Sequence, residues 1–368
     1  MKRYFLFITI FPFVLLSCSK TKQVNLLEIP VDIDQNSSFP LSEISENITK
    51  IDLEFSDESL INPDMIQRIT VTENDIIIAE MSKILIFNKD GKFVRSIGSR
   101  GQGPGEYNHI MSMAMDEKNK RLFIVSSGPW KIICYDMDGN FLKEFATHSM
   151  FEYIVDINYI NGDLLLINQN TGEESETGRF TSSTVYRLTD DFRVTDSCII
   201  RKNVNVFIFS FLYKDFILKG NTSVNLYYCE SYGKTNPPRE VVVRDTLYRF
   251  ERNRLVPELT LKFKNNGIDG GGNKFIDPYS IFRSSRYVFS IYENYKNGNR
   301  YYFCFDTKTG KGYNMQDGFT DDINGIDKRV SIRPFNYDTE MFYYLYTYIK
   351  PDDFEEKNPT LYIGKLKK

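Results

Sequence analysis

The sequence has very few of the residues from which metal centres and nucleophilic sites are usually built. Its 368 residues include two histidines, His109 and His148, and one tryptophan. Two histidines exclude a metal site built on several imidazoles and make most catalytic triads hard to assemble. Positive charge is not in excess either, because the formal net charge is −3. We therefore predict no metal ligands and no nucleic-acid partner.

Cysteine is also scarce, and the five cysteines show no CxxC spacing. Four lie beyond the first 18 residues: Cys134, Cys198, Cys229 and Cys304. Two of them occupy look-alike segments at 133–136 and 303–306, which we assign to separate repeats. Equivalent positions in separate repeats are too far apart for a disulfide. We expect buried free thiols that pack as small hydrophobic side chains.

The first residues are typical of an export signal. Lys2 and Arg3 precede an apolar run at 4–16, which is too short to span a membrane, and Ser17 and Cys18 follow it directly. Residues 15–18 resemble a bacterial lipobox, whose cysteine becomes the lipidated first residue of the mature protein. An ordinary secretory signal is the alternative. We expect a signal peptide at 1–17, a polar tether at 18–45 and one domain at 46–368.

The residues just after Cys18 help to predict where in the cell envelope the protein is located. Acidic side chains at this place mark some Bacteroidetes lipoproteins for the cell surface, and residues 19–23 contain none. We therefore expect an outer-membrane lipoprotein that faces the periplasm and contacts the membrane only through its lipid.

From residue 66 onward, a unit of three or four strands recurs six times. Its clearest element is a short strand that ends in a hairpin turn, and a more apolar strand precedes each copy. The copies start at residues 83, 131, 184, 246, 301 and 360. Almost no helical periodicity is present. Six such units predict an all-β, six-bladed β-propeller. A β-sandwich would rarely exceed about 250 residues in one domain, and a solenoid would have shorter, more uniform repeats.

Two further predictions concern strand order. The strand at about 48–55 has no unit of its own, and the last unit runs out of chain near Lys368. We predict that this N-terminal strand completes the last blade and closes the ring, which removes exposed sheet edges. In the fourth unit, we place the first strand at 206–212 and the second at 215–218.

A glycine-rich stretch at 98–107 follows the first unit. It contains four glycines and a proline, so its backbone can take positive φ angles and pass close to other chain. No helix follows it, so it lacks the helix N-terminus that phosphate binding needs. We predict a structural joint between two blades. Its residues are Gly101, Gly103, Pro104, Gly105, Glu106 and Tyr107.

This joint also carries a family resemblance, together with Asp90-Gly91-Lys92-Phe93 and Ile97-Gly98. In that order these motifs resemble the six-bladed β-propeller lipoproteins of Bacteroidales, which are related to NHL-repeat and TolB-like propellers. The match covers roughly residues 66–145, and the joint motif is absent from the later units. The resemblance implies a propeller fold and an envelope location. It implies no reaction, because the family is largely uncharacterised.

Four residues are candidate ligand contacts at the mouth of a central funnel. Arg68, Arg283 and Arg333 fall at or near innermost strands, where together they could clamp a carboxylate or a sugar acid. Salt bridges between blades are the alternative for all three. His109 follows the glycine-rich joint and could reach the funnel, or it could be an ordinary loop histidine.

Carboxylates recur near strand ends, at Asp64, Asp116, Asp156, Asp277 and Asp338. Such oxygen ligands could hold Ca²⁺ in a propeller channel. Repeated turns also need aspartate to accept backbone hydrogen bonds, without any metal.

We predict a lipid-anchored, monomeric binding or scaffold module for an envelope protein, a peptide or a glycan, without catalysis and without a cofactor. The alternative is a lyase, lactonase or hydrolase with Ca²⁺ in the channel. The loops at 231–240 and 265–274 are the first candidates for partner contact, because long loops on a rigid scaffold tend to carry function.

The lipid anchor can be tested with one substitution. Cells that express the wild-type chain should incorporate radiolabelled palmitate into it, and Cys18→Ala should abolish the label because it removes the acylated thiol. The measurement is autoradiography of the immunoprecipitated chain, with Cys198→Ala as the control that keeps its label. Unchanged labelling of Cys18→Ala would refute the anchor.

Overall fold

The computed structural model describes residues 26–128, 130–147, 149–175, 178–204, 216–219, 224–227, 243–251, 254–335, 340–348 and 357–368. Six sheets follow one another around a central axis, and neighbouring strands pair antiparallel from the innermost strand outward, except for a parallel fifth strand at the outer edge of one sheet. The predicted six-bladed β-propeller is confirmed. No helix in these ranges is long and apolar enough to cross a bilayer.

We number the blades in chain order and give their strands from the axis outward. Blade 1 is Ile66–Val71, Asp75–Glu80, Ile84–Asn88 and Phe93–Ser96; blade 2 is His109–Asp116, Arg121–Ser127, Lys131–Asp136 and Phe141–Ala146; blade 3 is Tyr153–Ile160, Asp163–Ser175, Gly178–Leu188 and Val194–Val204. Blade 4 is Ile217–Lys219, Val224–Leu226, Thr246–Glu251, Arg254–Phe263 and Leu27–Val31; blade 5 is Ile276–Arg283, Tyr287–Asn294, Asn299–Asp306 and Lys311–Gln316; blade 6 is Arg333–Pro334, Met341–Tyr346, Thr360–Leu366 and Ser45–Asp52.

The smaller elements connect the blades. Two strand pairs lie outside the six sheets: Ser99–Arg100 with Glu106–Tyr107, and Phe319–Asp321 with Ile326–Val330. The helical segments are one α-helical turn at Leu41–Ile44 and 3₁₀ turns at Pro63–Met65 and Lys264–Gly267.

The core forms because the second and third strands carry unbroken apolar runs. Residues 76–79, 122–125 and 164–167 in the second strands are completely buried. A strand buried on both faces needs such a run, because each face of a blade packs against its neighbour. Because of this requirement, second strands with such runs could be recognised in the sequence.

The hairpin that follows the third strand has a repeated polar cap. In blade 2, Asp136 Oδ1 accepts the N–H groups of Asp138 and Asn140 at 2.9 and 2.8 Å. Asn88 and Asp306 occupy the same place in blades 1 and 5 and accept backbone N–H groups of their own turns. The recurring turn in the sequence is therefore a recurring side-chain cap.

Neighbouring blades are linked by contacts from the outermost strand to the next blade's hairpin. Arg95 in blade 1 forms an ion pair with Asp138 in the blade 2 hairpin, at 2.7 Å. Phe145 in blade 2 stacks on Phe192 in the blade 3 hairpin, with ring centroids 5.4 Å apart. Successive blades are thus joined at the same place, by an ion pair between blades 1 and 2 and by stacked aromatic rings between blades 2 and 3.

The ring closes through the N-terminal strand, as the sequence predicted. Ser45–Asp52 pairs antiparallel with Thr360–Leu366 and forms the outer edge of blade 6. Beyond this strand, the N–H of Glu54 donates to the carbonyl of Gly91 in the blade 1 hairpin, at 2.8 Å. The strand begins and ends three residues before the predicted 48–55, and it ties the last blade to the first.

The predicted tether is wrong for residues 26–44, which we call the strap. Leu27–Val31 pairs in parallel with Arg254–Phe263 and adds a fifth strand to blade 4. Ile29 and Val31 in this strand are buried. Three apolar residues alternating over five positions are too short a pattern to separate from a polar linker, so the sequence did not reveal the strand.

The strap then crosses the outer edge of blade 5. The Ser37 N–H donates to the Asn314 carbonyl at 2.7 Å, and the Phe39 ring stacks on Tyr313 with centroids 3.9 Å apart. Leu41–Ile44 follows and buries two apolar side chains in the core of blades 5 and 6. The strap therefore covers the outer edges of blades 4 and 5 before the chain enters blade 6.

The predicted strand order of blade 4 is also wrong. Ile217–Lys219 is the innermost strand and Val224–Leu226 the second, whereas we placed the second strand at 215–218. The predicted first strand at 206–212 lies outside the described residues. Short apolar runs of similar length look alike in sequence, so nothing there distinguished the first strand from the second.

The cysteines follow the prediction in two blades. Cys134 and Cys304 are buried free thiols in the third strands of blades 2 and 5, and burial raises the pKa of the Cys134 thiol to about 11. Such a thiol is unreactive at neutral pH. Cys198 is only partly buried, in the outermost strand of blade 3, which corrects the prediction for that residue. Cys229 lies outside the described residues.

The packing of the closing blade can be tested at Gly364. A Cβ atom here would overlap the ring of Phe342, so Gly364→Ala should lower the free energy of unfolding by about 1–3 kcal/mol. Gly270→Ala is the control, because a Cβ atom there meets nothing within 4 Å. The measurement is urea denaturation followed by circular dichroism, and equal midpoints for the two variants would contradict this packing.

Candidate functional site

The two ends of the ring differ, and we name them by their connections. The loop face is the end at which each innermost strand begins; it carries the links between blades and the loops between second and third strands. The turn face is the opposite end, with the tight hairpins.

Arg68 joins three blades across the axis. Its guanidinium donates to the carbonyls of Met113 and Ile157, at 2.6 and 2.8 Å, and to the Asp156 carboxylate at 2.8 Å. Arg68 belongs to blade 1, Met113 to blade 2, and Asp156 and Ile157 to blade 3. These contacts favour the salt-bridge alternative for Arg68 over a ligand contact.

Asp156 extends the same network to a fourth blade. Its side chain is fully buried and accepts hydrogen bonds from the Ser112 hydroxyl at 2.9 Å and the Ile217 N–H at 3.3 Å. Ile217 begins the innermost strand of blade 4. One buried ion pair with its hydrogen bonds therefore holds the innermost strands of four consecutive blades together.

The other predicted funnel residues lie apart from this pair. Arg283 ends the innermost strand of blade 5 and forms an ion pair with Glu258 of blade 4 at 2.6 Å, again the salt-bridge alternative. Arg333 begins the innermost strand of blade 6 and lines a cavity of about 30 Å³ with Phe216 of blade 4, enough for one water molecule. His109 is exposed where the innermost strand of blade 2 begins.

The predicted carboxylates do not meet either. Asp116 lies at the turn face, where Arg121 Nε and Asn119 Nδ2 donate to it at 3.1 and 2.7 Å. Asp64 is exposed on a 3₁₀ turn, and Asp338 lies outside the described residues. Within the described part of the chain, no three His, Cys, Asp or Glu side chains are grouped so that they could hold a metal ion.

Asp277 lies in a buried polar cluster at the loop face of blade 5. It forms an ion pair with Lys274, and both side chains are less than a tenth exposed. The Tyr295 hydroxyl donates to the other carboxylate oxygen at 2.8 Å. The neighbouring Tyr279 hydroxyl donates to Glu293 at 2.5 Å; burial, and then this hydrogen bond, raise the pKa of Tyr279. The cluster is internally paired.

The glycine-rich stretch lies between the outermost strand of blade 1 and the innermost strand of blade 2. Glu106 folds back so that its carboxylate accepts the Gly103 N–H at 2.8 Å. A Cβ atom on Gly101 would overlap this carboxylate, which is why glycine is needed there. The buried Tyr107 hydroxyl donates to the Ile97 carbonyl at 3.0 Å, and burial raises its pKa to about 12.

Blade 2 holds the other side of this stretch. The Gly105 N–H donates to Glu144 at 3.0 Å. Lys131 donates to the same carboxylate at 2.9 Å and to the Gly103 carbonyl at 2.8 Å. Pro104 is exposed at the tip. These contacts connect the stretch to itself and to blade 2, which is what a joint between blades requires.

A cleft of about 420 Å³ opens at the rim of the loop face, between the strap and blades 4 and 5. We call it the strap cleft. Three buried side chains, Phe275, Asn294 and Tyr301, form its floor. The Asn297 amide donates to the Tyr301 hydroxyl at 2.9 Å and orients it.

Charged side chains form the rim of the strap cleft. Lys264 and Asp34 make an ion pair at 2.7 Å, in which both side chains are about two-thirds exposed. The Lys296 ammonium lies 3.6 Å above the centroid of the Phe275 ring, a cation–π contact. The cleft thus combines two ammonium groups, one carboxylate, side-chain amides and aromatic rings.

Only the predicted partner loop at 265–274 pointed to this cleft, through Asn265. Its residues come from the strap, from the connection between blades 4 and 5, and from a loop of blade 5. The predicted partner loop at 265–274 contributes one wall. Its tip is a compact turn in which Asp269 accepts the N–H groups of Gly271 and Asn273, and these hydrogen bonds lower the Asp269 pKa. The predicted loop at 231–240 lies outside the described residues.

The loop face also carries large apolar side chains that are exposed to solvent. Met65 and Met150 lie just before the innermost strands of blades 1 and 3, and they are 42% and 46% exposed. Tyr348 follows the second strand of blade 6 and is 65% exposed. These three residues belong to separate blades, and single exposed apolar side chains also occur elsewhere on the surface, for example at Val94, Leu142 and Ile199.

Comparison with known proteins places the fold in a family. The family model described as Domain of unknown function (DUF4934) matches residues 24–368. The chain belongs to this family. No curated protein matches the chain.

Two solved structures share the architecture. One is a putative exported protein from Bacteroides fragilis, with a TM-score of 0.60 and 19% identity over 93% of this chain and 100% of that one. The other is a member of the duf4221 family from Bacteroides vulgatus, with a TM-score of 0.52 and 9% identity over 88% of this chain and 97% of that one. At these identities the similarity establishes the fold.

The role of the axial pair can be tested by removing one partner. Arg68→Met leaves the Asp156 carboxylate buried without its counter-ion, so we expect the free energy of unfolding to fall by about 3–5 kcal/mol. Arg193→Met is the matched control, because Arg193 and its partner Asp191 are both more than two-thirds exposed and such pairs contribute about 0–1 kcal/mol. Chemical denaturation of both variants measures the difference. A loss for Arg68→Met no larger than that of the control would show that the axial network does not hold the blades.

Proposed function

We propose that this propeller is a non-catalytic binding or scaffold module of the cell envelope, anchored through lipidated Cys18 and facing the periplasm as a monomer. It captures a protein, a peptide or a glycan through the loop face. The observation that carries this proposal is the exposed apolar display of the loop face, to which blades 1, 3 and 6 contribute Met65, Met150 and Tyr348. These residues lie on or next to loops, and loops positioned by a rigid scaffold are where binding residues are commonly found.

The axis supports a surface site over a channel site. The Arg68–Asp156 pair and its hydrogen bonds occupy the space between the innermost strands of blades 1 to 4. The cavity beside Arg333, between blades 4, 5 and 6, holds about one water molecule. We therefore place the proposed ligand on the loop face or at its rim rather than beside these axial residues.

Two observations support the envelope location. The N-terminal segment has the charge pattern and the apolar run of an export signal, followed by Cys18. The similar structure from Bacteroides fragilis is described as a putative exported protein. The anchor would bring the module to a membrane and leave the propeller free to meet partners there.

Site-specific photo-crosslinking tests the proposed surface. A photoreactive phenylalanine analogue replaces Met150 or Tyr348 on the loop face, and Lys118 on the turn face as the matched exposed control. After irradiation of intact cells, we expect adducts from the two loop-face positions and none from Lys118. Adducts found by gel mobility and mass spectrometry only at Lys118, or equally at all three positions, would contradict the assignment.

A further inference from the structure

We propose that the strap cleft binds an acidic sugar residue, that is, a sugar that carries a carboxylate. The inference rests on the proposed binding function and names a ligand class and a place for it. It follows from the size of the cleft, the charges on its rim and the chemistry of its floor.

The cleft has the size and construction of a ligand site. Its volume of about 420 Å³ falls in the range of small-molecule pockets, roughly 300–1,000 Å³. Its floor is fixed: Phe275 and Tyr301 are buried, and the Tyr301 ring stacks on Tyr292 with centroids 5.4 Å apart. A rigid floor costs little ordering entropy when a ligand binds.

Lys296 supplies an available positive charge. Its ammonium is held over the Phe275 ring, and within the described residues it forms no ion pair with a carboxylate. The ring fixes the position of the cation without neutralising it. An anion that enters the cleft therefore meets a placed ammonium group.

Lys264 supplies a second charge that a ligand can recruit. Its partner Asp34 belongs to the strap, and the pair is largely exposed to solvent. Exposed pairs of this kind contribute little to stability, so a ligand carboxylate can replace Asp34 at little cost. The lining carries two ammonium groups and one carboxylate, and Asp32 and Asp269 act on Lys264 and Lys296 from just outside it, so a ligand carboxylate competes with these aspartates for the two cations.

The remaining groups match a sugar. The aromatic side chains Phe275 and Tyr301 line the floor, and the small part of them that is exposed gives apolar surface against which a sugar ring can pack. Asn265 and Asn297 on the rim provide amide groups that can donate to and accept from hydroxyl groups. A sugar that carries a carboxylate can contact the ammonium groups, the amides and the aromatic side chains at once. An apolar ligand or a neutral sugar would use only some of these groups.

Calorimetric titration of the purified full chain in detergent tests the site. The probes are a trisaccharide of galacturonic acid and the neutral trisaccharide maltotriose. We expect the acidic probe to bind more tightly than the neutral one, and its affinity to fall as salt is raised. Lys296→Gln should weaken the acidic probe about tenfold, the loss expected for one charge-assisted hydrogen bond. Lys308→Gln, with the same change at an exposed position on the turn face of blade 5, should leave the affinity unchanged.

A second variant should act in the opposite direction. Asp34→Asn removes the carboxylate that competes for Lys264, so it should tighten binding of the acidic probe several-fold. This gain cannot come from a folding defect, so it keeps the test decisive if Lys296→Gln proves unstable in thermal unfolding.

Three results would overturn the inference: no binding of the acidic trisaccharide, equal binding of the neutral one, or affinities of Lys296→Gln and Asp34→Asn that match the wild type. The proposed binding function is tested separately by the cross-links from Met150 and Tyr348. Loop-face adducts together with a failed titration would reject the acidic sugar alone. Loss of both would reject the binding function as well.

Discussion

A ring of β-sheets has to be closed, and in this protein the two ends of the chain meet to close it. Blade 6 takes its three inner strands from the C-terminal part of the chain and its outer strand, Ser45–Asp52, from the N-terminal part. Without that strand, Thr360–Leu366 would present an open sheet edge. The order of the whole molecule depends on this pairing, because each blade is held in place by the next one around the ring.

A buried ion pair between innermost strands also holds the blades of the ring together. The guanidinium of Arg68 and the carboxylate of Asp156 bring hydrogen-bonding groups of four blades to one buried point. A buried ion pair costs desolvation, and this one offsets that cost by using both partners for several hydrogen bonds. The polar groups on this side of the axis are therefore engaged in holding the fold.

The strap forms part of the rim of the loop face. A segment that runs from the fifth strand of blade 4 across the edge of blade 5 protects two sheet edges and also brings Asp34 beside Lys264. The same segment therefore contributes to the stability of the fold and to the wall of a cleft. Since Cys18 precedes the strap by eight residues, a lipid anchor there would be attached close to the propeller.

The sequence by itself determined the repeat. Buried second strands need unbroken apolar runs, and several hairpins carry a capping Asn or Asp, so both features recur in the chain and reveal a repeated unit. The closing strand could also be predicted, because its residues alternate between apolar and polar and it belongs to no repeat unit. Only the tertiary structure decided what the arginines and carboxylates do. Arg68 contacts Asp156, which lies 88 positions further along the chain. A local sequence pattern cannot predict such a contact, so the sequence did not distinguish it from a contact with a ligand. The strap cleft has the same origin: its carboxylate comes from the strap, its cations, amides and rings come from two other segments, and these three segments share no motif and are neighbours only in the folded protein.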